Sequence, residues 1–389
     1  MKKYKLGDLL SEFHAGKAIQ TENIKNKGAY PVYGGNGQRG YTDSYNQDGE
    51  YLIIGRQGAY CGNVRYNIGK AYLTEHAIVG QTREDHNPIY IALKLSLMKL
   101  SQLQGQSAQP GLSVNTLSCI SMEMPPKEIQ DKIADIMLKL DRKIELNRQI
   151  NDNLEAMAKQ LYDYWFVQFD FPNEEGKPYK LSGGAMVWNE KLKREIPQGW
   201  SNGVLSDVAN ITMGQSPDGS SYNEDGEGII FYQGSTDFGL RFPDIRQYTT
   251  SPSRYANKGD ILMSVRAPVG ALNIANNDCC IGRGLSALSS KIGSMTHLYY
   301  LMNDFRLKFE GMNSAGTTFG SITKDELFSL PVIIPTKSVI SEFEQVCEPI
   351  FDKQMIIGEE INALTKQRDE LLPLLMNGQA SVNYHLSAC

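Results

Sequence analysis

Gly35-Asn-Gly37-Gln-Arg-Gly40 has the spacing of a phosphate-cradling GxGxxG turn, the clearest place in this chain where residue types and spacing could do chemistry. A dinucleotide site of that kind needs a helix to begin at the turn, so that backbone amides and the helix dipole meet the pyrophosphate. The residues that follow, YTDSYNQDGEYLIIG, read as turns and a strand instead. The stretch is better read as a turn-rich loop that presents Asn36, Gln38 and Arg39. Nuclease chemistry would need clustered carboxylates with a lysine, and Pro243-Asp244 has no acid-x-Lys element after it. No GxxxxGK[ST] phosphate loop exists. His14, His76, His86, His297 and His385 lie beside no Ser or Cys nucleophile motif, so each reads as a structural or surface residue. The chain is read as catalytically empty.

Asn87-Pro-Ile-Tyr90 resembles the NPPY tetrapeptide with which amino-methyltransferases hold a flipped base. Its third position is Ile89, however, and no glycine-rich strand-turn for S-adenosylmethionine precedes it. A helix start with Pro88 in the first turn is the better reading, and the chain is not expected to methylate anything itself. Polar loops with aromatics remain. GRQGAYCG supplies Arg56, Gln57 and Tyr60, and GQSAQPG supplies Gln106, Ser107 and Gln109. In the second half Gln233, Arg241, Ser264, Arg266, Arg283, Thr317 and Thr318 lie in comparable loops. Arg and Gln pair bidentately with guanine and adenine edges, so the loops as a set point to DNA. Any one member alone reads more readily as a solvated or turn-stabilising side chain.

Two long helices must position these loops. From Pro125 to Phe171 apolar residues recur at Ile129, Ile133, Ile136, Leu140, Ile144, Ile150, Leu154, Met157, Leu161 and Trp165, one narrow stripe three or four apart. Roughly 38 residues at about 1.5 Å each make a rod on the order of 57 Å. Such a stripe wants a partner helix, and Val339 to Leu375 supplies one through Ile340, Phe343, Cys347, Ile350, Ile357, Ile361, Leu364, Leu371 and Leu375. Pro349 and Gly358 weaken the second rod, and a kink is expected near Pro349.

Ahead of each rod a frame repeats. LGDLL at Leu6 faces LSDVA at Leu205, and GEYLIIGRQGAYCGNV at Gly49 faces GDILMSVRAPVGALNI at Gly259. IYIALKLSLMKLSQLQGQSAQPGLSV matches LYYLMNDFRLKFEGMNSAGTTFGSI, and a proline-bearing run and a rod follow each. One helix is expected from Pro88 to Leu103. The boundaries read are a first globular domain over 1–125, a rod over 126–170, a linker over 171–199, a second globular domain over 200–335, a rod over 336–378 and a tail over 379–389. Similar frames with unlike loops imply two related but different recognition tasks.

At 389 residues the chain has room for two or three domains and ample core. Its net charge of -5 argues weakly against a nucleic-acid binder until it is divided. The two rods together carry -6, the first globular half +3 and the second -3, so local DNA-binding surfaces stay open. The six cysteines show no CxxC pair and no His at zinc spacing, so neither disulfides nor metal are expected. No apolar run approaches a membrane span, and MKKYKLGDLLSEF lacks a signal-peptide core, so a cytoplasmic address without membrane contact is expected.

The order of first globular domain, MPPKEIQDKIADIMLKLDRKIELN…LYDYWF, linker with IPQGW, second globular domain, LPVIIP and second rod resembles the DNA-specificity subunit of type I restriction-modification systems over nearly the whole chain. The second rod departs from the family, with Thr336-Lys337-Ser338 in place of a Pro-x-x-x-Gln start. The resemblance implies an α+β fold: two duplicated mixed α/β target-recognition domains separated by two long helices packed as an antiparallel coiled coil. It implies double-stranded DNA with a bipartite target, two methyltransferase (M) subunits docked on the helices, and two restriction (R) subunits added through them. S-adenosylmethionine is then expected on the methyltransferase subunit, ATP and Mg on the restriction subunit, and no cofactor on this chain. Two other readings stand beside it: a catalytic DNA methyltransferase with an unrecognised cofactor site, and a scaffold protein that binds no DNA.

Overall fold

Glu50–Gly55 (EYLIIG) is buried at every residue after the first, so it must lie inside a sheet with both faces covered. It runs antiparallel between Ala77–Thr82 and Val64–Ile68, and Leu10–Ala15 pairs with the far side of Ala77–Thr82. In the second half Ile261–Ser264 (ILMS), buried throughout, runs between Leu285–Ser290 and Leu272–Ile274, with Ala209–Met213 beyond Leu285–Ser290. Strand order and direction are the same, so the repeat in sequence is a repeat in topology. A smaller sheet accompanies each: three strands around the parallel pair Tyr30–Gly34 and Tyr72–Leu73, then five around the parallel pair Ile229–Tyr232 and Cys279–Ile281. Fold and duplication agree with the α+β expectation.

The structure is a computed structural model that describes residues 2–103, 111–314 and 320–381. It divides into two compact units, Met1–Glu145 with Ala363–Cys389, and Leu146–Asn362. Each unit holds one globular half and a stretch of both long helices. In the first unit Leu6, Leu52, Ile54 and Ile89 share a core with Ile133 and Met137 of the first helix and Leu375 and Met376 of the second. In the second unit Phe343 packs edge-on against Phe166 at 4.8 Å, while Asn147 donates to Glu360 at 2.8 Å. Within each unit, later residues of one helix meet earlier residues of the other, so the pairing is antiparallel.

The first long helix spans Lys127–Tyr162 and ends in a π-helical turn, Asp163–Val167. It stops short of Phe171 because Phe169 takes a left-handed φ of 68° and turns its ring onto Trp200. The second helix, Lys337–Met376, runs as one element through Pro349 and Gly358. The helix expected from Pro88 to Leu103 ends at Ser96, and Leu100–Leu103 is a separate 3-10 turn. Its start is as read: the Asn87 side chain caps it by accepting from the Tyr90 amide at 3.0 Å. Residues 171–199 form a packed element, a hairpin of Met186–Asn189 and Arg194–Pro197, with Phe171 stacked between Tyr179 and Trp200. Cys61, Cys279, Cys280 and Cys347 are buried and Cys119 is exposed.

His297 is buried edge-on to Phe166, ring centroids 4.5 Å apart, and burial pulls its pKa down from 6.5 to about 3. An unfolded imidazole takes a proton as the pH falls through 6.5, whereas the folded one holds out to about 3. Its contribution is therefore whole above that upper value and declines across the window, by up to about 1.4 kcal/mol per pH unit. Melting temperature against pH should fall less steeply in His297→Phe than in the parent. Equal acid slopes would assign the decline to other groups.

Candidate nucleic-acid interface

The first unit gathers its polar loops where the central strand ends. Arg56 leaves Glu50–Gly55 with its amide donating to the His76 carbonyl at 2.9 Å, and its own carbonyl accepts from Leu112 at 2.9 Å. Its guanidinium Nη1 reaches the Glu75 carbonyl at 3.4 Å. Gln57 bridges to Gly111 and its Oε1 meets His76 Nδ1 at 3.3 Å. A Cβ on Gly35 would sit 3.0 Å from the His76 carbonyl and 3.1 Å from that of Gln57, so a side chain there would hold the 35–36 loop off this rim. Arg65 Nη2 donates to the Asn36 carbonyl at 3.4 Å. Asn36, Arg56, Gln57 and the exposed Tyr60 thus share one rim. Gln38 and Arg39 lie exposed on the neighbouring strand Gly37–Thr42.

The second unit repeats the arrangement with other side chains. Arg266, exposed, leaves Ile261–Ser264 and bridges to Ser321, while Ile322 donates to the Val265 carbonyl at 3.0 Å. Gly284 donates to the Gln233 carbonyl at 3.2 Å and Val265 to that of Gly284 at 2.9 Å, which brings Gln233, Arg283 and Arg266 together. All three are exposed. Arg56 and Arg266 therefore occupy matching places, each pinned by the segment that precedes a short helix, Val114–Ser118 or Lys324–Phe328.

Two expected residues are corrected. Ser264 is 1% exposed and its hydroxyl donates to the Arg266 carbonyl at 2.7 Å, so it shapes the turn rather than facing a ligand. Arg241 is 6% exposed, its guanidinium engaged by Glu155 and Gln354 of the long helices, so it belongs to the packing. Gln106, Ser107, Gln109, Thr317 and Thr318 lie outside the described residues. Arg65, His76, Gln215 and Arg254, which the sequence reading did not include, also lie at these rims. Arg254 accepts from Ile281 at its carbonyl, and Ile281 in turn accepts from Gln215, so both flank the second rim. Their signal was position, at a strand end beside a loop already singled out.

One scaffold built twice, each copy ending in a rim of arginine and glutamine side chains and each packed on a stretch of two antiparallel helices, defines a two-headed recognition protein. The family model described as "Type I restriction modification DNA specificity domain" matches residues 1–156 and 197–370. The chain belongs to that family. It is 32% identical over 283 residues to a chain named "Putative type I restriction enzyme MjaX specificity subunit" from Methanocaldococcus jannaschii, covering 70% of this chain and 62% of that one. It is 27% identical over 381 residues to the type I restriction enzyme MjaIX specificity subunit of the same organism, covering 88% and 84%. The chain thus spans under two thirds of the first relative's length and most of the second's. A crystal structure of a type I restriction-modification system S subunit from M. genitalium has the same fold, with a TM-score of 0.67 at 16% identity over 96% of this chain and 95% of that one.

Proposed function

We propose that this chain is the DNA-specificity subunit of a type I restriction-modification complex and not itself an enzyme. Each recognition domain binds one half of a bipartite duplex target, and the long helices set the spacing and dock two methyltransferase subunits, to which two restriction subunits add. The observation that carries this reading is one scaffold present twice with unlike rims, since a single two-part target calls for one frame and two sets of base contacts. Charge supports a division within it. The first globular half, at +3, has net charge to hold phosphates, while the second, at -3, depends on the local cluster of Arg254, Arg266 and Arg283. S-adenosylmethionine belongs on the methyltransferase partner, and ATP with Mg on the restriction partner. No described helix is long and apolar enough to cross a membrane, and the chain works in the cytoplasm, where its DNA lies.

Sequencing of methylated adenines in cells with and without the gene tests the reading: a two-part motif should vanish with the gene. The isolated chain should transfer no methyl group from labelled S-adenosylmethionine and cut no DNA. Methyl transfer by a preparation free of partner subunits would favour the methyltransferase reading. A partner complex that retains no duplex in a gel shift would favour the scaffold reading.

A further inference from the structure

In each unit a side chain of the recognition domain reaches a carboxylate of the first long helix that is also held by the second. In the second unit Arg241 enters from the loop after the turn Ser235–Asp237. Its Nη2 donates to Gln354 Oε1 at 3.2 Å and its Nη1 lies 3.5 Å from Glu155 Oε2, to which Gln354 Nε2 also donates at 2.8 Å. The guanidinium lies over the rings of Phe351 at 4.9 Å and Tyr299 at 5.5 Å. The next residue, Phe242, explains the glycine in the middle of the second helix: a Cβ on Gly358 would sit 2.6 Å from Phe242 Cε2. In the first unit Tyr66, on the edge strand Val64–Ile68, donates to Asp141 Oδ2 at 2.6 Å, and Arg368 of the second helix donates to Asp141 Oδ1 at 3.2 Å.

We propose that these two clasps are positioning devices, which fix the angle of each rim on the helix stretch of its own unit and thereby the gap between half-sites that the complex accepts. The inference rests on the DNA-specificity reading above. Stability alone explains them poorly, since the Glu155 and Asp141 side chains are 34% and 29% exposed and ion pairs that solvent reaches contribute little. A three-part polar contact adds a single geometry, the use for which buried polar groups are best attested. Arg241 Nε, buried without a partner, also marks a contact not tuned for stability alone. Tyr66 and Arg241 are therefore positioning residues, and neither reads a base.

The test uses the full chain in complex with its methyltransferase partners. The probes are duplexes carrying the half-sites found by methylated-base sequencing, at the native gap and at one base pair more or less. Arg241→Met and Tyr66→Phe should leave both half-site sequences unchanged and lower the preference for the native gap about tenfold, equivalent to about 1.4 kcal/mol. Gly358→Ala, which displaces Phe242, should act in the same direction, and Arg241→Lys should restore part of the preference. If Arg241→Met folds poorly, Arg241→Met with Glu155→Gln removes the stranded charge and is read in the same way. An unaltered gap preference in folded variants, or an equal loss of affinity at all three gaps, would overturn the inference and leave the clasps structural. If the unaltered complex shows no two-part target, the functional reading beneath it falls instead.

Discussion

Seven residues inserted into each long helix, between Glu145 and Leu146 and between Asn362 and Ala363, should lengthen the accepted gap by roughly three base pairs and leave both half-sites unchanged. The insertion falls where the two compact units divide, so it leaves Asp141–Arg368 on one side and Asn147–Glu360 on the other. A heptad nearly preserves the facing stripe, because seven residues complete two turns to within about 20°. It adds about 10.5 Å to each helix, which is roughly three pairs at about 3.4 Å each along an aligned duplex. The stretches should not slide to compensate: Gln354, fully buried against Glu155, and Asn147 against Glu360 hold the register as single polar residues do in coiled coils. Three pairs also turn the duplex face by roughly 100°, at about 10.5 pairs per turn, so affinity at the new gap should be lower than at the native one. Sequencing of methylated bases in cells carrying the variant decides the matter. Full activity at the old gap would show that the helices do not set the spacing.

The sequence disclosed the repeated frame because the central strand, its arginine and the glycine turn recur in order, and topology depends on little more. It disclosed the second helix well: Ile340, Phe343, Cys347, Ile357, Ile361 and Leu375 are all buried. The first helix departs from the expected stripe at three of its ten positions. Ile129, Ile150 and Met157 are exposed, while Gln130, Asn147 and Asn151 are buried on the inner face. Hydrophobic period cannot see such residues, since their burial depends on partners far along the chain: Gln130 accepts from the Asn87 amide, and Asn147 donates to Glu360. Arg241 was misread for the same reason. A loop arginine looks alike in sequence whether it faces DNA or a helix, and the residues that decide it, Glu155, Gln354 and Gly358, are remote from it in sequence. Gly358 read as a weak point in a helix, and is in fact the seat of Phe242.

Arg56→Ala and Arg266→Ala should each cost about 1 to 3 kcal/mol in binding, and each through its own half-site only. Both side chains leave the end of a central strand with their backbone fixed by the segment that precedes a short helix, so little ordering remains to be done on binding. They differ in what holds the side chain. The Arg56 guanidinium already touches the Glu75 carbonyl at 3.4 Å, a long and weak contact that a base edge can replace, whereas Arg266 stands exposed on a rim it shares with Gln233 and Arg283. The backbone bond from Arg56 to the His76 carbonyl survives in Arg56→Ala, so the 74–76 loop should stay in place and the loss should report the side chain alone. Competition between duplexes with single-base changes in one half-site separates the possible contacts. A base-reading arginine loses discrimination at one position of its own half-site when replaced, and the other half-site keeps its full pattern. A phosphate contact instead lowers affinity equally for every duplex and reduces the salt dependence by about one charge. If Arg56→Ala altered discrimination in both half-sites together, the division of labour between the two recognition domains would fail, because one rim would then be sensed by the other.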